Sequence, residues 1–201
     1  SKKQSQRKAT TPQTIRVLKQ ELGQRANELA ILNSVGEAMA KRLDVKTMTK
    51  IVGDKVMSIF ASETVTIRLY DSSTNLIQRA YDYDRVYEDL TDTSFPLGIG
   101  LTSTIIESGK PLLFGTLKEM DDAGRLMTPS RVTEETQSYI GVPIITGENV
   151  IGVVSVQSYR QHAYNENDVR FLQTLASNMG IAIQNARLFE AEQERVAELQ
   201  I

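Results

Sequence analysis

Apolar residues follow three rhythms along this chain, and each change of rhythm marks a new element. From Ile15 the steps alternate three and four, through Leu18, Leu22, Leu29, Leu32, Met39 and Leu43, passing over Arg25 and Gly36. That is a heptad seam about four heptads long, which predicts a coiled coil rather than a simple amphipathic helix. Residues 15–28 are too polar elsewhere to have a core of their own, so this half needs a partner helix. A second helix is expected over Val45–Phe60, with Asp44 as N-cap and Met48, Ile51, Val52, Val56 and Ile59 on one face.

The period then falls to two. The run TVTIRLY at 64–70 puts Val65, Ile67 and Leu69 on one face and Thr66, Arg68 and Tyr70 on the other. DSSTN at 71–75 is a turn, and residues 76–83 are the returning strand. A second hairpin is expected in SYIGVPIITGENVIGVVSVQSY at 138–159, where the apolar runs 139–145 and 150–157 flank a turn at 146–149. Gly147 and Asn149 are the residues that would supply positive φ there. Both strands are apolar at nearly every position, so both faces of the sheet should be covered.

Between the hairpins, Gly98 and Gly100 lead into a short helix at 101–107, closed by Gly109 as a C′ glycine. Residues 110–114 read as a short strand. The irregular stretch 115–137 predicts a lid, a binding loop or a short helix. After the second hairpin, NEND at 165–168 caps a long final helix. Its seam runs Leu172, Leu175, Met179, Ala182, Ala186 and Phe189, then Gln193 and Val196. It outlasts any single-domain core, so both terminal helices are expected to start on the domain and project from it.

At 201 residues the chain is about one domain with extensions. A net charge of −2 gives no electrostatic ground for a nucleic-acid partner. Lys2, Lys3, Arg7 and Lys8 read as part of a solvated, disordered tail over 1–14. There is no cysteine, which excludes disulfides, thiol catalysis and thiolate metal sites and fits a reducing cytoplasm. No apolar run approaches the ~20 residues of a membrane span, and no signal peptide is visible. Both ends sit in polar, charged sequence, so a piece of a longer protein is expected.

Signals for chemistry are sparse. The acidic residues Asp82, Asp84, Glu88, Asp89 and Asp92 lack the spacing and central glycine of a calcium loop. The glycine-flanked start of the short helix could hold an anion, but it lacks the Lys-Ser/Thr end of a phosphate loop. No nucleophile motif such as G-x-S-x-G and no metal-ligating set is present, and the single histidine, His162, lies in a polar loop. An enzyme is not expected.

Six motifs in order carry a resemblance: FPLGIGL at 95–101, ESGKP at 107–111, SYIGVPI at 138–144, GENVIGVV at 147–154, YNEND at 164–168 leading to FLQTLA at 171–176, and NARLFE at 185–190. Together, over about 30–190, they resemble a GAF domain, the small-molecule-sensing module of signalling proteins, here of bacterial multidomain type. The resemblance implies an α+β fold related to PAS domains, with an antiparallel sheet of five or six strands and helices on both faces. A PAS domain itself is the rival fold, and the long first helices and the Gly-Val-Pro hairpin suit it less well. A signalling helix over 15–43 would enter a sensor domain over 30–190, and a second would leave it over 172–201.

The family's ligand pocket would draw on Thr66, Arg68, Tyr70, Ser155 and Gln157 from the sheet. Phe95, Ile99, Leu101, Phe114 and Tyr139, with the loop 115–137, would close over them. Arg68 in mid-strand needs a carboxylate, a phosphate or solvent, and an internal Asp or Glu serves as well as a ligand. Without cysteine, bilin attachment within the domain and methionine-sulfoxide reduction of the family's kind are both ruled out. The Asn-Lys pair of cyclic-nucleotide-binding members is missing, and His162 is not placed as a haem ligand. The ligand, if there is one, is an unidentified small molecule.

The role implied is a cytoplasmic regulatory sensor that dimerises through Ile15, Leu18, Leu22, Leu29, Leu32, Met179, Ala182, Ala186 and Phe189. It would drive an output domain outside this sequence, of histidine kinase or nucleotide cyclase type, in two-component or cyclic-nucleotide signalling. The alternative is a ligand-free dimerisation and spacer module.

Overall fold

The computed structural model describes residues 44–84, 94–126 and 135–198, with Gly23, Ala26 and Leu29 as isolated helical positions. The basic tail and the seam residues Ile15, Leu18, Leu22, Leu32, Met39 and Leu43 lie outside the described residues. So do 85–93 and 127–134, which hold most of the acidic stretch and part of the irregular one.

Helix α1, Val45–Phe60, begins where the Asp44 carboxylate accepts from Thr47 N at 2.8 Å, and it ends at Ala61 with φ 45°. Its buried face carries Met48, Val52 and Val56. Gly53 on the same face lets the Tyr81 ring lie against the helix, and a Cβ there would meet that ring at 2.5 Å. The Tyr81 hydroxyl donates to Asp54 Oδ1 at 2.8 Å and ties the helix to the sheet.

Among the described residues the sheet has six strands, all antiparallel to their neighbours, in the order β3-β2-β1-β6-β5-β4. These are β1 Thr64–Asp71, β2 Leu76–Asp84, β3 Phe95–Pro96, β4 Leu112–Phe114, β5 Ser138–Thr146 and β6 Asn149–Ser158. The first and last hairpins meet at the centre, β1 against β6. In the β5–β6 turn only Gly147 has positive φ, 59°, and Asn149 is already in the strand. Positive φ at the first central residue alone is what a type II′ reversal requires, so Asn149 does not play the part its sequence suggests. The two-residue strand β3 was not visible in the sequence. It is a short edge pairing with Leu76 and Ile77.

Helices cover both faces. On one, α1 and the long helix α4, Glu166–Glu198, enclose Val65, Ile67, Ile140, Val142, Ile144, Val154 and Val156. On the other, α2, Gly100–Ser108, and α3, Leu117–Asp122, close over Ile77, Tyr139 and Val153. The stretch after β4 thus holds a short helix, set by a capping box between Thr116 and Glu119.

Met179, Ala182 and Ala186, expected on a dimer seam, are buried in the core that α4 forms with its own sheet. The apolar stripe that the spacing predicts is thus covered at these positions by the domain's own sheet. Gly180 permits the fit, since a Cβ there would stand 2.4 Å from the Ile145 carbonyl oxygen. Among the described residues no helix is long and apolar enough to cross a membrane.

Candidate functional site

The two faces of the sheet differ in chemistry. The face under α1 and α4 is apolar, aliphatic at its centre with Tyr81 and Tyr83 of β2 packed against it. The face under α2 and α3 mixes apolar and polar groups, and it is here that the strand alternation sends Thr66, Arg68, Tyr70, Tyr139, Ser155 and Gln157. The cross-strand register places Thr66 beside Ser155 and Tyr139 beside Gln157.

A chain of hydroxyls runs through this layer. Thr66 Oγ1 and Ser155 Oγ share a hydrogen bond of 2.7 Å, and the Ser155 side chain is near enough to the Tyr139 phenol to favour its ionisation. Tyr139 is buried, and burial raises its phenol, against the smaller opposing effects of Ser155 and the Arg68 charge. Gly141, next along the same face, makes room for it, because a Cβ there would meet the Tyr139 hydroxyl at 2.2 Å. At the rim Gln157 accepts from Thr136 Oγ1 at 2.7 Å.

Arg68 has its counter-ion inside the domain. Its guanidinium donates to Asp82 Oδ2 at 2.9 Å and to the Tyr81 carbonyl at 3.3 Å. Arg79 also approaches Asp82, at 3.7 Å. Simple alternation hides this partner. A bulge in β2 between the pairs Ile67↔Tyr81 and Arg68↔Arg79 leaves Ala80 unmatched. It reverses the parity of the strand, so Asp82 shares a face with Ile77 and Arg79.

The apolar wall of the site comes from α2, α3 and the strands at the edges. Leu101, Ile105, Ile106 and Met120 are buried here, with Tyr70, Phe95 and Phe114 packed against them. The Phe114 and Tyr139 rings lie 6.3 Å apart. Ile99 does not join them: it is the N-cap of α2 and is 58% exposed. A residue placed in the lid by the motif is turned outward because Gly98 and Gly100, both at positive φ, swing the chain around it. Just ahead of the helix, Ser103 Oγ accepts from Gly98 N and Ile99 N at 3.1 Å each and holds this turn. Ile105, Met120, Ile77 and Val153 complete the layer and were missed. A three-four spacing across Leu101 and Ile105 was the available signal.

His162 is exposed, has φ 50°, and its amide donates to the Gly115 carbonyl at 2.8 Å. Its imidazole lies against Gly115, at the foot of α3. A separate recess of about 450 Å³ opens at the end of β5, lined by Gly109, Pro143, Ile145, Gly147, Ser177 and Ile181 among others. None of the residues expected in a pocket lines it.

The sequence profile of the GAF domain family matches residues 42–184. Several solved structures share the fold. The GAF domain of a phosphoenolpyruvate-protein phosphotransferase from Coxiella burnetii superposes with a TM-score of 0.68 at 18% identity, over 83% of this chain and 98% of that one. The corresponding domain from Acinetobacter gives 0.67 at 17%, over 80% and 94%. The free methionine-R-sulfoxide reductase of Neisseria meningitidis, solved with its substrate, gives 0.63 at 18%, over 80% and 90%.

Proposed function

The chain belongs to the GAF domain family, and on that premise we propose that it is a regulatory sensor which binds a small molecule between the sheet and helices α2 and α3. The observation that carries this reading is the contrast between the two faces of one sheet. The α1/α4 side is almost wholly apolar, its Tyr81 hydroxyl bonded out to Asp54, whereas the other side gathers the Thr66–Ser155–Tyr139 hydroxyls and the Arg68–Asp82 pair next to an apolar wall. Ligand sites have that make-up, mostly apolar with a few convergent polar groups.

The reading is not an enzymatic one. A reductase shares the fold, but this chain has no cysteine to supply thiol chemistry. The domain acts as a homodimer in a reducing cytoplasm, and its terminal helices carry the change to an output domain in the full-length protein. A ligand can bias that relay only by its difference in affinity for the two helix arrangements.

A specific observation favours the second reading, a ligand-free dimerisation and spacer module. The polar groups of this layer pair with each other, and Tyr139, Ile105 and Met120 are themselves buried in it. Thermal unfolding in a metabolite library separates the two. The sensor reading predicts compounds that raise the melting temperature of the natural chain but not that of Ser155→Leu, which fills the layer. A library without such compounds, tested on folded protein, favours the spacer.

A further inference from the structure

Arg68 is the one charge that β1, β5 and β6 send into the layer under α2 and α3. β5 and β6 carry no charged side chain, and Asp71, the other charge of β1, falls on the opposite parity. The acids of α3 are engaged elsewhere: Glu119 accepts from the amides of Gly115 and Thr116, Asp122 pairs with Lys118, and Asp121 pairs with Arg125. Glu107 of α2 is exposed. Among the described residues Asp82 is the carboxylate that meets this guanidinium, and it is shared. Its Oδ2 stands 2.9 Å from Arg68 and 3.7 Å from Arg79, which the register sets opposite each other. Arg68 uses one hydrogen of each terminal nitrogen, on Asp82 and on the Tyr81 carbonyl. Its Nε has no protein partner among the described residues, yet it is not sealed off and stays within reach of solvent. A half-sunk guanidinium with donors left over is suited to a forked pair of hydrogen bonds to an anion.

We propose that the molecule bound in this layer is a small carboxylic acid with an apolar body. Its carboxylate meets Arg68 and the Thr66–Ser155 hydroxyls, and its body lies against the wall of Leu101, Ile105 and Phe114. The proposal rests on the sensor reading above and names the ligand class that reading left open. Asp82 beside the guanidinium repels a doubly charged phosphate, so a single negative charge is favoured. An amine has only Asp82 to meet here, and that carboxylate already serves two arginines. The Arg68 charge is felt at the Tyr139 phenol, so it acts across the hydroxyl layer and not only at the Asp82 side.

The test sorts the compound library above by charge and pairs each acid with its own amide, beginning with phenylacetate against phenylacetamide and isovalerate against isovaleramide. The amide keeps the shape and loses the charge. Melting temperature finds the binders, and calorimetry on the full chain measures them. The binders are expected to be acids, each held about tenfold or more tightly than its amide. Arg68→Lys keeps the charge and loses the fork, and it should weaken the acids by about tenfold while weakening the amides far less. The comparison of acid with amide on the natural chain needs no variant, so it stands even if Arg68→Lys does not fold. Acid and amide of equal affinity would overturn the acid class. So would binders that are neutral or cationic and whose effect Ser155→Leu abolishes, an outcome that leaves the sensor reading in place. A folded natural chain that no compound of any charge stabilises would overturn both.

Discussion

Arg68 shows how one residue decides what a sheet face can be. A guanidinium in mid-strand under a covering layer must be paired, and here Asp82 meets it, with side chains that are 18% and 29% exposed. Such a pair lies between a surface bridge and a buried one, so a double-mutant cycle of Arg68→Met and Asp82→Asn should give a coupling of about 1–2 kcal/mol in urea unfolding. A coupling near zero would mean that Arg79 alone satisfies Asp82. The strand alternation made the face of Arg68 legible in the sequence. Its partner was not legible, because one unmatched residue, Ala80, reverses the parity of β2. Three tyrosines add a pH signature. Tyr81, Tyr139 and Tyr164 are all raised, chiefly by burial, and Tyr164 is pushed up to about 12 from an ordinary 10.0. The folded state therefore holds these protons longer than the unfolded chain. Their contribution is intact below pH 10 and is lost as pH rises toward 12. Melting temperature should fall through that window, in step with a delayed rise of tyrosinate absorbance. A flat profile would contradict the burial of these phenols.

At the scale of elements, local signals were faithful and partners were not. Asp44 and the period of Val45–Phe60 placed α1, and the period-two runs placed both hairpins. The two-residue β3 and the short α3 depend on neighbours and on a capping box, which periodicity over longer windows does not register. The same limit explains α4. A stripe of Leu172, Leu175, Met179 and Ala182 states that something covers it, not whether that is a sheet or a second chain. At Gly180 the α4 backbone lies close against Ile145 of β5. Gly180→Ala improves helix propensity by about 1 kcal/mol, yet its Cβ would meet the Ile145 backbone oxygen at 2.4 Å. The steric term should win, with a net loss of about 1–3 kcal/mol in chemical denaturation. An unchanged or raised stability would show that α4 can lift from the sheet at little cost.

On the whole-molecule scale, α4 is the element through which the candidate site would reach the rest of the protein. It seals the apolar face over residues 169–186 and then runs on to Glu198, about 18 Å beyond its last buried residue at 1.5 Å per residue. β5 and β6 lie between this helix and the candidate site, with Tyr139 and Ser155 facing one way and Ile140 and Val154 the other. A ligand that repacks the layer under α2 and α3 thus acts on strands whose opposite face holds the helix, and packed layers change between discrete arrangements. Native mass spectrometry of the purified chain, sprayed gently and then denatured, tests this account most directly, because it reads oligomeric state and bound small molecules together. A ligand-binding sensor should fly as a dimer that carries extra mass in the gentle spectrum and releases it on denaturation. A dimer at bare mass that no library compound stabilises would contradict the sensor claim and leave a spacer, and a monomer at bare mass would contradict the relay altogether.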